Sequence, residues 1–200
     1  MAKLPVAGNV KTRLARSIGV GEALRFYRAT SRAVLGRLCG QPFWETRIAV
    51  APDSAMTGRN WPPGIRIMPQ GRGDLGARMQ RPMLTLPPGP VCVVGTDVPG
   101  IDVDLVRRAF RFLGGNDIVF GPAEDGGFWL AGQRRRCRVI AAPYANVRWS
   151  HAATLADVMA NLRNAKVAFT GRLHDVDEAA DLAATRGTFG RRIRPRTPNN

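Results

Sequence analysis

Apolar residues return at three- and four-residue steps from Glu22 to Leu38, through Ala23, Leu24, Tyr27, Val34, Leu35 and Leu38. This is the spacing of a helix with one buried face, and Gly40 is placed to end it. The period then changes. Arg47–Ala51 (RIAVA) reads as a buried strand closed by Pro52-Asp53, and Ile65–Met68 as a short strand after the Trp61-Pro62-Pro63-Gly64 turn. Val91–Val94 (VCVV) is β-branched and apolar on both faces, as expected at the centre of a parallel sheet. Asp102 to Phe112 predicts a helix with Asp102 as its N-cap, and Asp117 to Phe120 a further buried strand. Ser150 is expected to cap a helix running to about Leu162. Lys166 to Phe169 reads as a strand, and Glu178 to Thr185 as a closing helix. Strands alternating with helices at this spacing predict an α/β sandwich around a mostly parallel sheet.

That architecture gives the loops their meaning, because open parallel sheets bind ligands beyond the carboxyl ends of their strands. Gly71-Arg72-Gly73-Asp74, Gly95-Thr96-Asp97 and Gly121 to Gly127 all follow predicted strands and should converge on one edge. Before the first helix, Gly8-Asn9-Val10-Lys11-Thr12-Arg13 places loop amides and two cations where a di- or triphosphate could sit. It is not a Walker A loop, since no glycine precedes Lys11. Gln70 to Met79 carries Gly71, Gly73, Asp74 and Arg78; it reads as a nucleotide- or substrate-contacting loop, with Asp74 also suited to cap the next helix. Asp97, emerging from the most strand-like run, suits Mg²⁺ or Mn²⁺, with an Asx-turn before Pro99 as the structural alternative. Asp125-Gly126-Gly127 could bind an acceptor, supply a base or approach the metal; Asp-Gly is also a common hairpin dipeptide. In His174-Asp175-Val176-Asp177, one carboxylate could complete a metal site with Asp97, Asp177 being the candidate, and the other cap the last helix.

Composition changes this picture little. The formal charge is +15, yet of the 30 lysines and arginines only Lys3, Lys11 and Lys166 are lysine. An arginine excess spread over ordinary surface positions is the expected reading, with a polyanion-binding patch at Arg134–Arg138 and the Arg191–Arg196 tail as the alternative. Cys39, Cys92 and Cys137 form no CxxC pair. Together with the lack of a membrane-length apolar run or a signal-peptide pattern, they point to a reducing cytoplasm. No GxSxG elbow supports Ser/His/Asp hydrolysis. One domain over residues 1–188 and a basic, disordered tail over 189–200 are expected.

Taken in order, AKLPVAGNVKTRLA, QGRGDLGARM, GTDVPG, GPAEDGGFWLAG and DVDEAADL resemble the bacterial family of domain of unknown function 2064. Its members are usually described as GT-A-like glycosyltransferases or nucleotidyltransferases. The resemblance runs from Ala2 to about Thr185, and is more distant to the guanylyltransferases of coenzyme F420 and molybdenum-cofactor synthesis. It implies a three-layer α/β/α fold of the nucleotide-diphospho-sugar transferase type. It also implies Lys11 and Arg13 on nucleotide phosphates, Asp97 on a metal, and Asp125, Gly126 and Gly127 on the acceptor side. The chain departs from the family pattern in its first strand, which is expected to be truncated unless another segment fills that central place. It also has Glu178-Ala179 after DVD where the family often has Thr-Pro, which weakens a metal role carried over to Asp177.

The expected activity is therefore a Mg²⁺- or Mn²⁺-dependent transfer from a nucleotide donor, nucleotidyl or glycosyl, to a small acceptor. No membrane partner is expected and no nucleic acid; a nucleic-acid-binding protein and a degenerate, inactive member of the family are the rival readings.

Overall fold

Tyr27 shows how the first helices hold the start of the chain. Its hydroxyl accepts from Lys3 N at 2.9 Å and donates to Lys3 O at 3.0 Å, clamping strand β1 (Ala2–Lys3) against helix α2 (Val20–Leu38). Helix α1 (Thr12–Ile18) precedes α2 and packs on it through Leu14 and Ala23, both buried. The computed structural model describes residues 1–57, 60–136, 139–177 and 181–182.

Strand β2 (Arg47–Ala51) pairs in parallel with β1 on one side and with β3 (Arg66–Pro69) on the other. Helix α3 (Leu75–Thr85) leads to β4 (Val91–Val94), and α4 (Val103–Phe112) to β5 (Ile118–Pro122). Strand β6 (Phe128–Gln133), helix α5 (Thr154–Ala160) and β7 (Val167–Phe169) complete the order. The second sheet runs β4-β6-β5-β7, with β6 antiparallel to both neighbours and β7 parallel to β5.

The three layers are visible in the packing. On one face of the β4–β7 sheet Val34 and Leu38 of α2 and Val106, Ala109 and Leu113 at α4 meet Val119 and Leu130. On the other, Met79 and Met83 of α3 and Val158 and Leu162 at α5 meet Ile118, Phe120 and Ala131. Burying each large apolar chain of this kind stabilises the fold by roughly 1.5–3 kcal/mol.

Two expectations need correction. Val91–Val94 forms a strand with the expected bounds, but its pairing partner is the antiparallel β6, because the chain doubles back through the Asp125-Gly126 turn. Its other edge faces β2 across an apolar cavity of about 380 Å³ lined by Val34, Leu38, Ile48, Met68, Val91 and Val93. Met1 spans this gap, its nitrogen donating to Val94 O at 2.6 Å and its carbonyl accepting from Thr96 Oγ1 at 3.3 Å. Ser150 does not cap α5: Ala153 holds that position, and Ser150 lies four residues before the helix with a left-handed backbone (φ 57°). The local bonds fall to Thr154, whose Oγ1 shares its one proton between the carbonyls of Arg148 and His151. Of the last predicted helix only Asp181 and Leu182 are described, and both are helical; the tail over 189–200 lies outside the described residues.

Asp102 does cap α4, accepting from Leu105 N at 2.8 Å from an extended backbone (φ −131°). Asp102→Ala should lower stability by about 1 kcal/mol, read from the midpoint of a denaturant titration.

Candidate active site

The end of β1, the β3–α3 turn, the β4–α4 turn and the β5–β6 turn gather at one edge of the sheets, joined there by the segment after β7. Between them lies a cleft with two chambers of about 420 and 510 Å³ that share Lys3, Lys11, Asp97, Phe128 and Trp149 as walls. The outer chamber adds Arg13, Asp125, Gly127, Asp175 and Asp177. The inner one adds Met1, Tyr27, Gln70, Arg78, Val93 and Thr96.

Lys11 stands where the chambers meet. It takes a left-handed backbone (φ 46°, ψ 49°) just before α1, a conformation uncommon for a residue with a Cβ. Its side chain, 4% exposed, carries Nζ to 3.2 Å from Asp97 Oδ2, 3.0 Å from Asp175 Oδ1 and 2.9 Å from Asp177 Oδ1. Burial by itself would lower the Lys11 pKa; the three carboxylates outweigh it and hold the ammonium above its ordinary range. Burial likewise raises Asp175, against the pull of Lys11 and with the push of Asp97 and Asp177. Arg13 is half exposed, with Nη1 at 3.5 Å from Asp177 Oδ2.

The carboxylates arrive from two directions. Asp97 follows β4, where Gly95 N donates to Trp129 O at 3.0 Å and fixes the turn. Asp175 and Asp177 follow β7, on a segment tied to the β5–β6 turn by Leu173 N to Pro122 O at 3.0 Å and Glu124 N to Leu173 O at 3.1 Å. His174 reinforces that tie, with Nδ1 at 2.8 Å from Glu124 Oε2 and Nε2 at 3.1 Å from Asp181 Oδ1. The hydrogen bond to Glu124 leads the causes that raise the His174 pKa.

Several candidate residues sit elsewhere than the chamber walls. Asp74 caps α3 by accepting from Ala77 N at 2.8 Å, and Gly71 N donates to Asp53 Oδ1 at 2.9 Å, so the turn is held by its own bonds. Gly71, Gly73 and Asp74 line neither chamber, whereas their neighbours Gln70, Leu75 and Arg78 do. Gly8 also lies off both walls. Asp125 lines the outer chamber while its Oδ1 accepts from Gly127 N at 2.8 Å. Gly126 has φ +86°, and a Cβ there would run into the Ala152 backbone, 2.6 Å from its carbonyl carbon. Gly126→Ala should therefore displace the Asp125 turn and cost about 1–3 kcal/mol, checked by thermal melts.

Sequence reasoning passed over Lys3, Gln70, Phe128, Trp149 and Asp175 as site residues, taking Asp177 alone of the DVD pair as the metal candidate, whereas both carboxylates reach Lys11. Lysine scarcity was a usable signal, since two of the three lysines line the cleft. The aromatic wall gave none: Phe128 and Trp149 meet edge-on with ring centroids 6.4 Å apart, although they are 21 positions apart in the chain.

In the basic-patch alternative, one arginine is paired with an acid and a second is tied to the backbone. Arg134 Nη2 lies 2.6 Å from Asp117 Oδ1, and the Arg135 guanidinium donates to the carbonyls of Leu86, Pro87 and Gly89. Arg138 and the tail arginines lie outside the described residues. Among the described residues no helix is long and apolar enough to cross a membrane.

A three-layer α/β/α domain with a charged cleft beyond its strand ends belongs among the nucleotide-diphospho-sugar transferase folds. Residues 34–151 match the model of domain of unknown function 2064, described as an uncharacterized protein conserved in bacteria, and the chain belongs to that family. It is also similar to a crystal structure from Desulfovibrio desulfuricans G20 that carries the provisional description nucleotide-diphospho-sugar transferase. That match has a TM-score of 0.84 and 26% identity, over 98% of this chain and 88% of the other. No curated protein matches the chain. The more distant resemblance to guanylyltransferases stays an expectation.

Proposed function

We propose that this protein transfers a group from a nucleotide donor, a nucleotide sugar above all, to a small acceptor. The observation that carries the proposal is the meeting of Lys11 and Arg13 with three carboxylates at the joint of a two-chambered cleft. The description of the Desulfovibrio protein as a nucleotide-diphospho-sugar transferase favours a nucleotide sugar over a nucleoside triphosphate.

In this reading the inner chamber takes the nucleoside, beside Gln70 and Arg78. Gln70 is buried and fixed, its Nε2 donating to Ala2 O at 3.1 Å and Ala49 O at 3.0 Å. The diphosphate lies at the joint, where Lys11 and Arg13 offset the negative charge that grows as the bond to the sugar breaks. Asp125 faces the acceptor. Its Oδ1 is held by Gly127 N, and the carboxylate can take the proton of the attacking hydroxyl. Phe128, Trp129 and Trp149 give the cleft apolar walls beside the joint.

The donor set fits Mg²⁺ or Mn²⁺: Asp97, Asp175 and Asp177 supply hard carboxylate oxygens, all turned toward one cation, the Lys11 ammonium. Among the described residues no three such side chains stand together as a ready-made metal site, and the Lys11 ammonium contacts all three carboxylates. A bound divalent ion would supply Lewis-acid stabilisation of the departing diphosphate.

Product analysis tests the reading. Incubation with nucleotide sugars and small acceptors in Mn²⁺ should release nucleoside diphosphate. Pyrophosphate from triphosphates alone would move the protein to nucleotidyl transfer. Release of neither, with no nucleotide raising the melting temperature, would reject both; a ligand at about 100 times its Kd should add roughly 2.7 kcal/mol.

A further inference from the structure

Three carboxylates around one point would ordinarily repel one another. Here they do not need a metal to come together, because Lys11 Nζ supplies the positive charge at 2.9–3.2 Å from each. The side chain that makes these contacts is the same one whose charge the donor diphosphate requires, and one ammonium cannot be saturated by three carboxylates and serve a diphosphate as well. It already donates to Asp175 Oδ1 and Asp177 Oδ1, and Asp97 Oδ2 holds it as an ion pair at 3.2 Å. A divalent cation seeking the same oxygens would meet the ammonium at 4% exposure, in contact with all of them.

We propose that Lys11 is a tethered cation that holds the metal position in the free protein and gives it up on loading, moving from the carboxylates to the donor diphosphate. This rests on the metal-dependent reading above and adds the order of events. The exchange balances in charge. Before it, the cluster of Lys11 with three aspartates carries −2; with a divalent ion in place of the ammonium the carboxylate group carries −1, and the ammonium is left to meet the anionic donor. Metal and donor therefore favour one another's binding, and neither is held strongly alone. Arg13, half exposed and 3.5 Å from Asp177, stays on the outer side throughout.

The scarcity of lysine makes the exchange directly readable in the wild-type chain. Amine acylation followed by mass spectrometry has only Lys3, Lys11 and Lys166 to resolve besides the terminal amine. Without divalent ions Lys11 should label slowest. Saturating Mn²⁺ should raise its labelling several-fold while Lys166 is unchanged, and adding a nucleoside diphosphate should protect it again. Mn²⁺ binding is followed in parallel by calorimetry on wild type, Lys11→Met and Lys11→Met/Asp97→Asn. Lys11→Met should bind Mn²⁺ at least tenfold more tightly than wild type, and the double variant should lose that gain. If Mn²⁺ binds the wild type yet leaves Lys11 labelling unchanged, the exchange is wrong and the metal site stands. Equal Mn²⁺ affinity in folded Lys11→Met and wild type overturns it in the same way. If no variant binds Mn²⁺ at millimolar concentration, the exchange and the metal-dependent reading fall together.

Discussion

Asp97→Ala should lower kcat/KM for the nucleotide donor by about 10²–10³, because in the proposed reading Asp97 holds the cations that offset the charge of the departing diphosphate, an effect of that size. Asp97 is the carboxylate that reaches the Lys11 ammonium from the β4 side, and it lines both chambers. Its side chain is 40% exposed, so folding should change little, and circular dichroism and melting should stay near wild type. The check is steady-state kinetics on donor and acceptor separately. Near-normal turnover in a folded Asp97→Ala protein would remove Asp97 from the chemistry.

The second large effect is on stability. Lys11→Met leaves Asp97, Asp175 and Asp177 facing one another without their shared cation. Breaking a buried pair in this way costs 3–5 kcal/mol, and the partial exposure of the carboxylates argues for the lower end, about 3 kcal/mol. In the wild type the raised Lys11 pKa means its contribution is complete below 10.5 and is lost only as pH rises through the folded value. In the variant the sign turns over. Burial already raises Asp175 above 3.8, and with Lys11 gone a proton there relieves the repulsion, so the deficit should shrink as pH falls through the carboxylate range. Melting temperatures of both proteins from pH 8 to pH 4 should converge toward the acid end; a constant gap would mean that the ammonium is not what holds the carboxylates.

How much of this could be read from the chain depends on the range of the interactions involved. Arg47–Ala51 and Val91–Val94 have the expected bounds because a short apolar β-branched run is a local property. The Asp102 cap is local for the same reason, a carboxylate three residues before the amide it accepts from. The pairing of β4 was not legible, since Val91 meets Gln133, 42 positions on, and that partner is chosen by the doubling back at Asp125-Gly126. Ser150 failed as a cap because serine has that role only with the right backbone, and here φ is 57°. For the site, residue type and strand-end position drew attention to Lys11, Arg13, Asp97, Asp125 and Asp177. They could not separate Asp74, Gly71 and Gly73, which hold their own turn, from Gln70 and Arg78, which line the cleft. Nor could they show that Lys11 reaches across more than 160 positions to Asp175 and Asp177.

The gap between β2 and β4 bears on the cleft in a mechanical way. Met1, Val93, Gly95 and Thr96 line the 380 Å³ cavity on one side and the inner chamber on the other. The floor of the inner chamber is therefore a thin partition with open space beneath it, stitched by the contacts of Met1 to Val94 and Thr96. A partition backed by a void yields more readily than one backed by close-packed side chains. Breathing of the two sheets against each other would thus be felt at Asp97, one residue beyond Thr96. A small apolar molecule lodged in the gap would stiffen the floor of the cleft without touching a single charged group.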